Sequence, residues 1–301
     1  MNRISIVIVN WNTGPLLTAC LTSIANLPEK TSIRHVVVVD NASKDESLVQ
    51  VERIAEENGY ILIREDTNLG FAKANNIGMK YIYEHGGEGD HILLLNPDTQ
   101  VQPHSLERMA EILDQNPKTG IVGPKLVTPS GEVQHSVRTF PTLPVLAMLF
   151  LKFQRLLPNS PSWKHYMMAD FQYDQESQVD QVMGAAFLIR NTVLQQLGGL
   201  DESFWIWFEE VDYCKQANNA GWNIVYTPSA SIVHHGGVSF NQLVGIRRTK
   251  PFLDSAIVYA RKHLGTTAAI TLFILYPVAM LIALAASLVH IQQKNTITNN
   301  V

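Results

Sequence analysis

The chain has 301 residues, 46% of them apolar, and a formal net charge of −4. That apolar share supports a sizeable core and excludes a disordered chain, while the mild acidity excludes a general attraction to nucleic acid. The two cysteines, Cys20 and Cys214, lie far apart in helical stretches, which excludes a disulfide framework or zinc knuckle and points to a reducing compartment.

The N-terminal apolar run is too short for a secretory signal and has no small-residue cleavage site, so residues 4–9 read as a first strand. Asn10, Trp11 and Asn12 follow, then a helix over about 15–26. Residues 35–39 form a second apolar strand, ended by Asp40 and Asn41, and Asp45 reads as the cap of the next helix. A short strand over 60–64 leads through Asn68 and Gly70 to a helix bearing Asn75 and Asn76. A fourth strand, 92–95, stops at Asn96-Pro97 because proline has no N–H for the ladder. Strands alternating with helices at this spacing predict a mostly parallel sheet with right-handed crossovers.

In such a sheet the polar strand ends share one edge, where open α/β sheets bind ligands. Asp98 stands there as a hard oxygen donor for a divalent cation bridging to phosphate; taken alone it also fits a turn aspartate. Asp40 serves either as an acceptor for the N3–H of uracil or thymine or as a cap in its loop. No G-x-G-x-x-G follows the first strand and no G-x-x-x-x-G-K-[ST] occurs, so a diphosphate here needs a metal more than a glycine-rich loop.

A helix over 105–115 precedes a strand over 120–127, with 131–137 expected as its hairpin partner. Residues 138–180 have no clear period, but 143–157 are largely apolar and read as a lid, an acceptor-facing helix or a membrane-resting surface. In the strand over 181–190, Gly184 permits close approach of a ligand. Next come Asp201, the aromatics Phe204, Trp205, Trp207 and Phe208, and the carboxylates Glu209, Glu210 and Asp212. A helix starting at Glu209 would place both glutamates in its first turn, where the dipole favours their ionised form. Trp205 and Trp207 can offer flat faces to a sugar ring or pack in the core. Strands over 222–226 and 231–233 end at His234, a potential imidazole ligand.

Residues 264–289 carry no charged side chain, roughly 39 Å as a helix, enough to cross a bilayer. Arg247, Arg248, Lys250, Arg261 and Lys262 precede this run and only Lys294 follows, a bias that keeps the preceding domain in the cytoplasm. A full span, a helix lying in the interface and a buried oligomer contact all fit the pattern.

Val9-Asn10-Trp11-Asn12, Val39-Asp40-Asn41-Ala42-Ser43, Asn68-Leu69-Gly70-Phe71-Ala72 with Asn75-Asn76-Gly78, Asn96-Pro97-Asp98, Gly199-Leu200-Asp201-Glu202-Phe204, Glu209-Glu210-Val211-Asp212 and His234-His235-Gly236-Gly237 occur in that order. Together they resemble the family-2 inverting glycosyltransferases of the GT-A fold, in the bacterial rhamnosyltransferase-like branch, over about residues 3 to 240. The resemblance implies an α/β GT-A domain over 1–245, with a Rossmann-like sheet flanked by helices. Its nucleotide half would be 1–127, its lid or acceptor region 138–180 and its acceptor and catalytic part 181–245. A basic juxtamembrane helix (246–263), a hydrophobic membrane-associated or transmembrane helix (264–289) and a polar tail (290–301) would follow.

By position, the resemblance implies that Asp40 holds the pyrimidine and that Asn10, Asn12, Asn41, Asn68, Gly70, Asn75, Asn76 and Asn96 line the nucleotide site. Asp98 and His234 would bind Mg²⁺ or Mn²⁺, Glu210 would be the base with Glu209 beside it, and Asp201, Gly184, Trp205 and Trp207 would lie near the acceptor. Asn96 replaces the first carboxylate of the family's D-x-D element, and Glu210 stands where the branch usually has Asp. The implied reaction moves a sugar, rhamnose from dTDP-rhamnose or a UDP-linked sugar, to a lipid-linked or polysaccharide acceptor at the cytoplasmic face of the inner membrane. A non-catalytic nucleotide-sugar-binding or scaffold protein of the same fold is the alternative.

Overall fold

The computed structural model describes residues 3–28, 32–45, 48–237 and 245–298, with side chains to 287. β1 (Ile4–Asn10), β2 (Ile33–Asn41), β3 (Ile61–Glu65) and β4 (His91–Leu95) pair in parallel in the order β3-β2-β1-β4. Helices α1 (Gly14–Ala25), α2 (Leu48–Asn58) and α3 (Phe71–Ile82) make the crossovers. Alternation along β1 sorts the two faces: Ile4, Ile6 and Ile8 join the core under α1 and α2, and Val7 and Val9 the core under α3. Gly78 of α3 lets that helix settle on β1, since a Cβ there would stand 2.5 Å from Val7 Cγ1.

Beyond β4 the sheet becomes mixed. After Asp98 the chain enters β5 (Thr99–Val101), then α4 (Ser105–Gln115) and β6 (Thr119–Val127). β7 (Val137–Arg138), α5 (Leu143–Phe150), α6 (Pro161–Tyr166), β8 (Ser177–Val179) and β9 (Gln181–Val182) precede β10 (Ala186–Ile189), which lies antiparallel between β4 and β6. α7 (Asn191–Leu197) and α8 (Glu209–Asn219) lead to β11 (Asn223–His234), parallel to β6 and antiparallel to β5 and β8.

Two local expectations are corrected. The hairpin partner expected over 131–137 is shorter: Val133 bridges Val127 and Gln134 N–H donates to Leu126 O, but Ser136 O already accepts from Met183 and β7 pairs with β9. The two strands expected over 222–233 are one strand, β11, whose register shifts between Thr227 and Ser231. Asp45 Oδ2 accepts the Gly14 N–H at the start of α1 at 3.0 Å; the cap expected of it for the next helix falls on residues 46 and 47, outside the described residues.

A third apolar cluster joins α5, the segment before α8, and a C-terminal hairpin of α9 (Ile246–His263) and α10 (Thr266–Thr298). α10 runs on through most of the segment expected as a polar tail; residues 299–301 lie outside the described residues. Ala268, Ala269, Leu272, Ala279 and Ala283 bury one face of α10, while Ile270, Phe273, Ile274, Val278, Leu281 and Leu284 leave an apolar stripe exposed.

Candidate active site

The carboxyl ends of β1, β2 and β4 meet the break between β9 and β10, the end of β11 and the start of α8 around one cavity of about 440 Å³. Its wall brings together Asn41, Asn68, Gly70, Asn96, Asp98, Gly184, Trp205, Trp207, Glu209, Glu210 and His234. Residues separated by more than 130 positions in sequence thus face one space.

Sheet register joins Asp98 to His234. His234 pairs with Thr99 in the β5–β11 ladder, and the His235 N–H donates to Asp98 O at 2.9 Å. Both side chains are buried, with His234 Nε2 3.5 Å from Asp98 Oδ1. Gln134 fixes the imidazole: its Nε2 donates to His234 O at 2.7 Å, so its Oε1 faces His234 Nδ1 at 2.8 Å as an acceptor. Nδ1 therefore donates to Gln134, and Nε2 is the nitrogen that faces Asp98. Two donor atoms each about 2.0–2.2 Å from one ion stand roughly 3.0–3.5 Å apart, so the pair fits two ligands of a divalent cation. Among the described residues no three His, Cys, Asp or Glu side chains form a ready cage, so the remaining ligands must come from elsewhere.

Opposite stands the first turn of α8. Trp207 and Phe208 both take left-handed backbone conformations, at φ +64° and +69°, and α8 then starts at Glu209. For bulky residues that geometry is strained, and it sets both glutamates on the cavity wall. Oε2 of Glu209 and Oε2 of Glu210 are buried without a hydrogen-bond partner among the described residues. Burial, then the charge of Glu210, pushes the Glu209 carboxyl well above the usual carboxylate range. Burial raises Glu210 as well, but backbone N–H groups of Glu210, Val211 and Gly184 draw it back toward ionisation. Burial thus outweighs the helix dipole, expected to favour ionisation of both carboxyls, and the backbone donors favour the charged form at Glu210 more than at Glu209.

Two glycines set the remaining walls. A Cβ on Gly70, whose φ is +88°, would lie 2.5 Å from both Cδ1 and the carbonyl oxygen of Trp205, and the next N–H, of Phe71, donates to that oxygen at 2.7 Å. Gly70 thus seats the Trp205 loop. Gly184 lies beside Glu210, and a Cβ there would make an ordinary contact with Glu210 Cβ and Cγ at 3.4 Å.

Six expected site residues stand outside the cavity wall. Asp40 is 3% exposed: Oδ1 accepts Asn10 Nδ2 at 2.7 Å and Oδ2 accepts the Ser43 N–H at 3.1 Å. Asn10 is held further by Ser43 and Thr13, and Asn12 Oδ1 accepts the Lys44 N–H, so these groups knit the two loops together. Asn75 donates to Phe71 O within its own helix, and Asn76 pairs with both backbone groups of Leu200. Asp201 binds Lys262 Nζ at 2.7 Å; burial alone would raise its carboxyl, but Lys262 and Ser203 pull it down to about 2.

Lys262, expected among the membrane-flanking cations, thus turns inward, where it also meets the fully buried Asp212 at 2.9 Å, and Lys250 pairs with Asp254. His263 Nε2 reaches Asp212 Oδ1 at 2.6 Å, and Ser255 Oγ donates to Ile206 O at 2.8 Å. α9 accordingly holds both α8 and the loop in front of it. The two cysteines are free and buried, as expected of core residues.

Sequence reading missed Gln134, which lies in an irregular segment with no local signal, and gave Trp11 and Phe71 no role although both line the cavity beside expected positions.

Comparison with known proteins gives the fold and the family. The chain is 28% identical over 267 residues to the N-acetylglucosaminyl-diphospho-decaprenol L-rhamnosyltransferase of Mycobacterium tuberculosis, covering 86% of this chain and 85% of that one. It is 24% identical over 245 residues to the dTDP-rhamnosyl transferase RfbF of Shigella flexneri, covering 81% and 73%. Its fold is similar to GalNAc-T7 solved with UDP, GalNAc and Mn²⁺ (TM-score 0.61, 16% identity, 86% of this chain and 48% of that one). It is also similar to the mannosyltransferase PcManGT of Pyrobaculum calidifontis with GDP-Man and Mn²⁺ (TM-score 0.58, 19% identity, 94% and 73%). The architecture is the GT-A fold. A family model for glycosyl transferase family 2 matches residues 5–190, and the chain belongs to that family.

Proposed function

We propose that this chain is an inverting glycosyltransferase that moves a sugar, L-rhamnose from dTDP-rhamnose, to a hydroxyl of a lipid-linked acceptor in cell-surface glycan synthesis. One observation carries the reading: Asp98 and His234 line the same sugar-sized cavity as Glu209 and Glu210. The donor and lipid-linked acceptor are taken from the printed activities of the rhamnosyltransferase relatives.

In this reading Trp11, Asn41 and Asn68 border the nucleotide end of the cavity, and Trp205 and Trp207 the sugar end. Asp98 and His234 hold Mg²⁺ or Mn²⁺, which when bound stabilises negative charge on the leaving diphosphate. Glu210, ionised and held by the Gly184 and Val211 N–H groups, takes the proton of the acceptor hydroxyl as that oxygen attacks C1 from the face away from the diphosphate. Glu209 keeps its proton, so that only one of the adjacent carboxyls carries charge. Inversion follows from a single displacement, with no covalent enzyme intermediate.

The stripe on α10 is the membrane contact of this reading. Residues Thr266–Ser287 are apolar enough to cross a bilayer, yet one face is buried on the protein, while Phe273, Ile274 and Leu281 are 70%, 67% and 65% exposed. A helix docked along its length with an outward apolar face suits a position in the interface of the cytoplasmic leaflet, with Arg247 and Arg261 near anionic headgroups.

The test is donor hydrolysis by purified protein against a panel of dTDP-, UDP- and GDP-sugars, with and without Mn²⁺. Turnover of dTDP-rhamnose that requires the metal and is lost in Asp98→Ala is the expected result. Equal turnover without metal or in that variant refutes the site.

A further inference from the structure

α5 ends in a left-handed turn at Lys152, φ +59°, which leaves Lys152 and Arg155 on one short bend. Lys152 Nζ sits 5.9 Å above the ring of Phe252, and Arg248 lies one helical turn before Phe252 in α9. Burial, then the charges of Arg155 and Arg248, pushes the Lys152 ammonium below its usual value. Three cations from two separate elements therefore act on one another. Among the described residues none of them is paired with a carboxylate, whereas nearby Lys250 and Lys262 each are. Lys152 is half-buried while Arg155 and Arg248 are exposed beside it; like charges so placed repel, and a multiply charged anion relieves that repulsion.

The surroundings say which anion. Phe252 meets Trp207 edge to face at 5.9 Å, and Trp207 is a wall of the cavity, so two ring contacts link the cluster to the sugar site. On its other side the same bend exposes Phe153, Leu156 and Leu157, with Leu156 76% exposed. A ligand bridging these features has a sugar at one end, phosphate in the middle and an apolar chain at the other. We propose that Lys152, Arg155 and Arg248 seat the diphosphate of a lipid-linked acceptor, whose sugar enters past Trp207 and whose apolar chain leaves over Phe153, Leu156 and Leu157. The inference rests on the transferase reading for its setting, and it assigns the acceptor class to named residues.

Farnesyl diphosphate is the probe, titrated calorimetrically into the full chain in phosphatidylcholine nanodiscs with EDTA, so that no divalent cation holds it at Asp98. Lys152→Gln, Arg155→Gln and Arg248→Gln each weaken binding about tenfold and the triple variant abolishes it, while Lys152→Arg and Arg155→Lys stay within about threefold. Farnesol, which lacks the diphosphate, binds the wild type and the triple variant alike.

Wild-type affinity in the triple variant overturns the proposal, as does an equal loss for farnesol, or a loss in the charge-conserving variants as large as in the neutral ones. A second arm measures sedimentation with phosphatidylglycerol vesicles. If the triple variant loses vesicle binding but keeps farnesyl diphosphate, the cluster reads bilayer headgroups and the proposal falls. Donor hydrolysis by the wild type is scored separately: absence of turnover sinks the transferase reading, while cation-dependent diphosphate binding stands or falls by the titration alone.

Discussion

Glu209 and Glu210 are adjacent, buried and chemically alike, so deciding which one takes the acceptor proton is the sharpest test of the site. Glu210→Gln keeps the shape and leaves an oxygen for the Gly184 and Val211 N–H groups, removing only the basic oxygen. Loss of a general base lowers turnover about 10²–10⁴-fold, or roughly 3–5 kcal/mol of transition-state stabilisation. Glu210→Asp withdraws the carboxylate by about 1.5 Å, a displacement that by itself costs on the order of 10²-fold. Glu209→Gln replaces an already protonated acid by a neutral isostere and falls at least tenfold less than Glu210→Gln. The assay is initial rate of sugar transfer or donor hydrolysis from pH 4 to 9. Because burial raises Glu210, the acid limb of the wild-type profile has its midpoint above the ordinary glutamate value of about 4.3, with activity gained as pH rises through it. A Glu209→Gln variant as inactive as Glu210→Gln, or an acid limb at the ordinary value, refutes the division of roles.

Other predictions follow from the same geometry. Gln134→Ala frees the His234 ring and weakens Mn²⁺ binding about 10–100-fold by calorimetry, with secondary structure by circular dichroism unchanged. Gly70→Ala places a Cβ against Trp205 in a backbone conformation open to glycine alone, and lowers unfolding stability in urea by roughly 2–4 kcal/mol. Glu209's native pKa stands above its unfolded value, so the native state keeps a proton that the unfolded chain has lost in that interval. Stability therefore falls as pH rises from about 4.3 through the raised native value, and Glu209→Gln flattens the slope in urea titrations across that range. Phe273→Asp with Ile274→Asp removes the exposed apolar stripe and abolishes sedimentation with lipid vesicles while dTDP-rhamnose hydrolysis persists.

The parts of this fold that the sequence made legible are those in which one residue reports its own surroundings. Unbroken aliphatic runs such as residues 92–95 occur where helices cover both faces of a strand, and the Asn96-Pro97 break announces the sheet edge at Asp98. The start of α8 at Glu209 was legible from its acidic first turn, and the end of β11 at His234 from the glycines behind it. What stayed hidden depends on partners far along the chain. Asp40 looks like a free acceptor until Asn10 and Ser43 take its oxygens, and Asn76 like a ligand-binding amide until Leu200 takes both ends. Lys262 is composed like a membrane flank, yet two buried-side carboxylates turn it inward. The antiparallel insertion of β10 between β4 and β6 has no local signature either, since a short buried strand reads the same in both directions.

The ties from α9 to Ile206, Asp201 and Asp212 bear on how this enzyme can be handled. Cutting the chain ahead of residue 246 would strip the Asp212 carboxylate of Lys262 and His263, two of the groups that neutralise and cover it, and would release the loop that carries Trp205 and Trp207. A shortened catalytic core would be a damaged one. For the same reason, grafting the C-terminal hairpin of a relative onto this sheet would exchange the props of the cavity wall at Trp205, Trp207 and Glu209 along with the apolar helix.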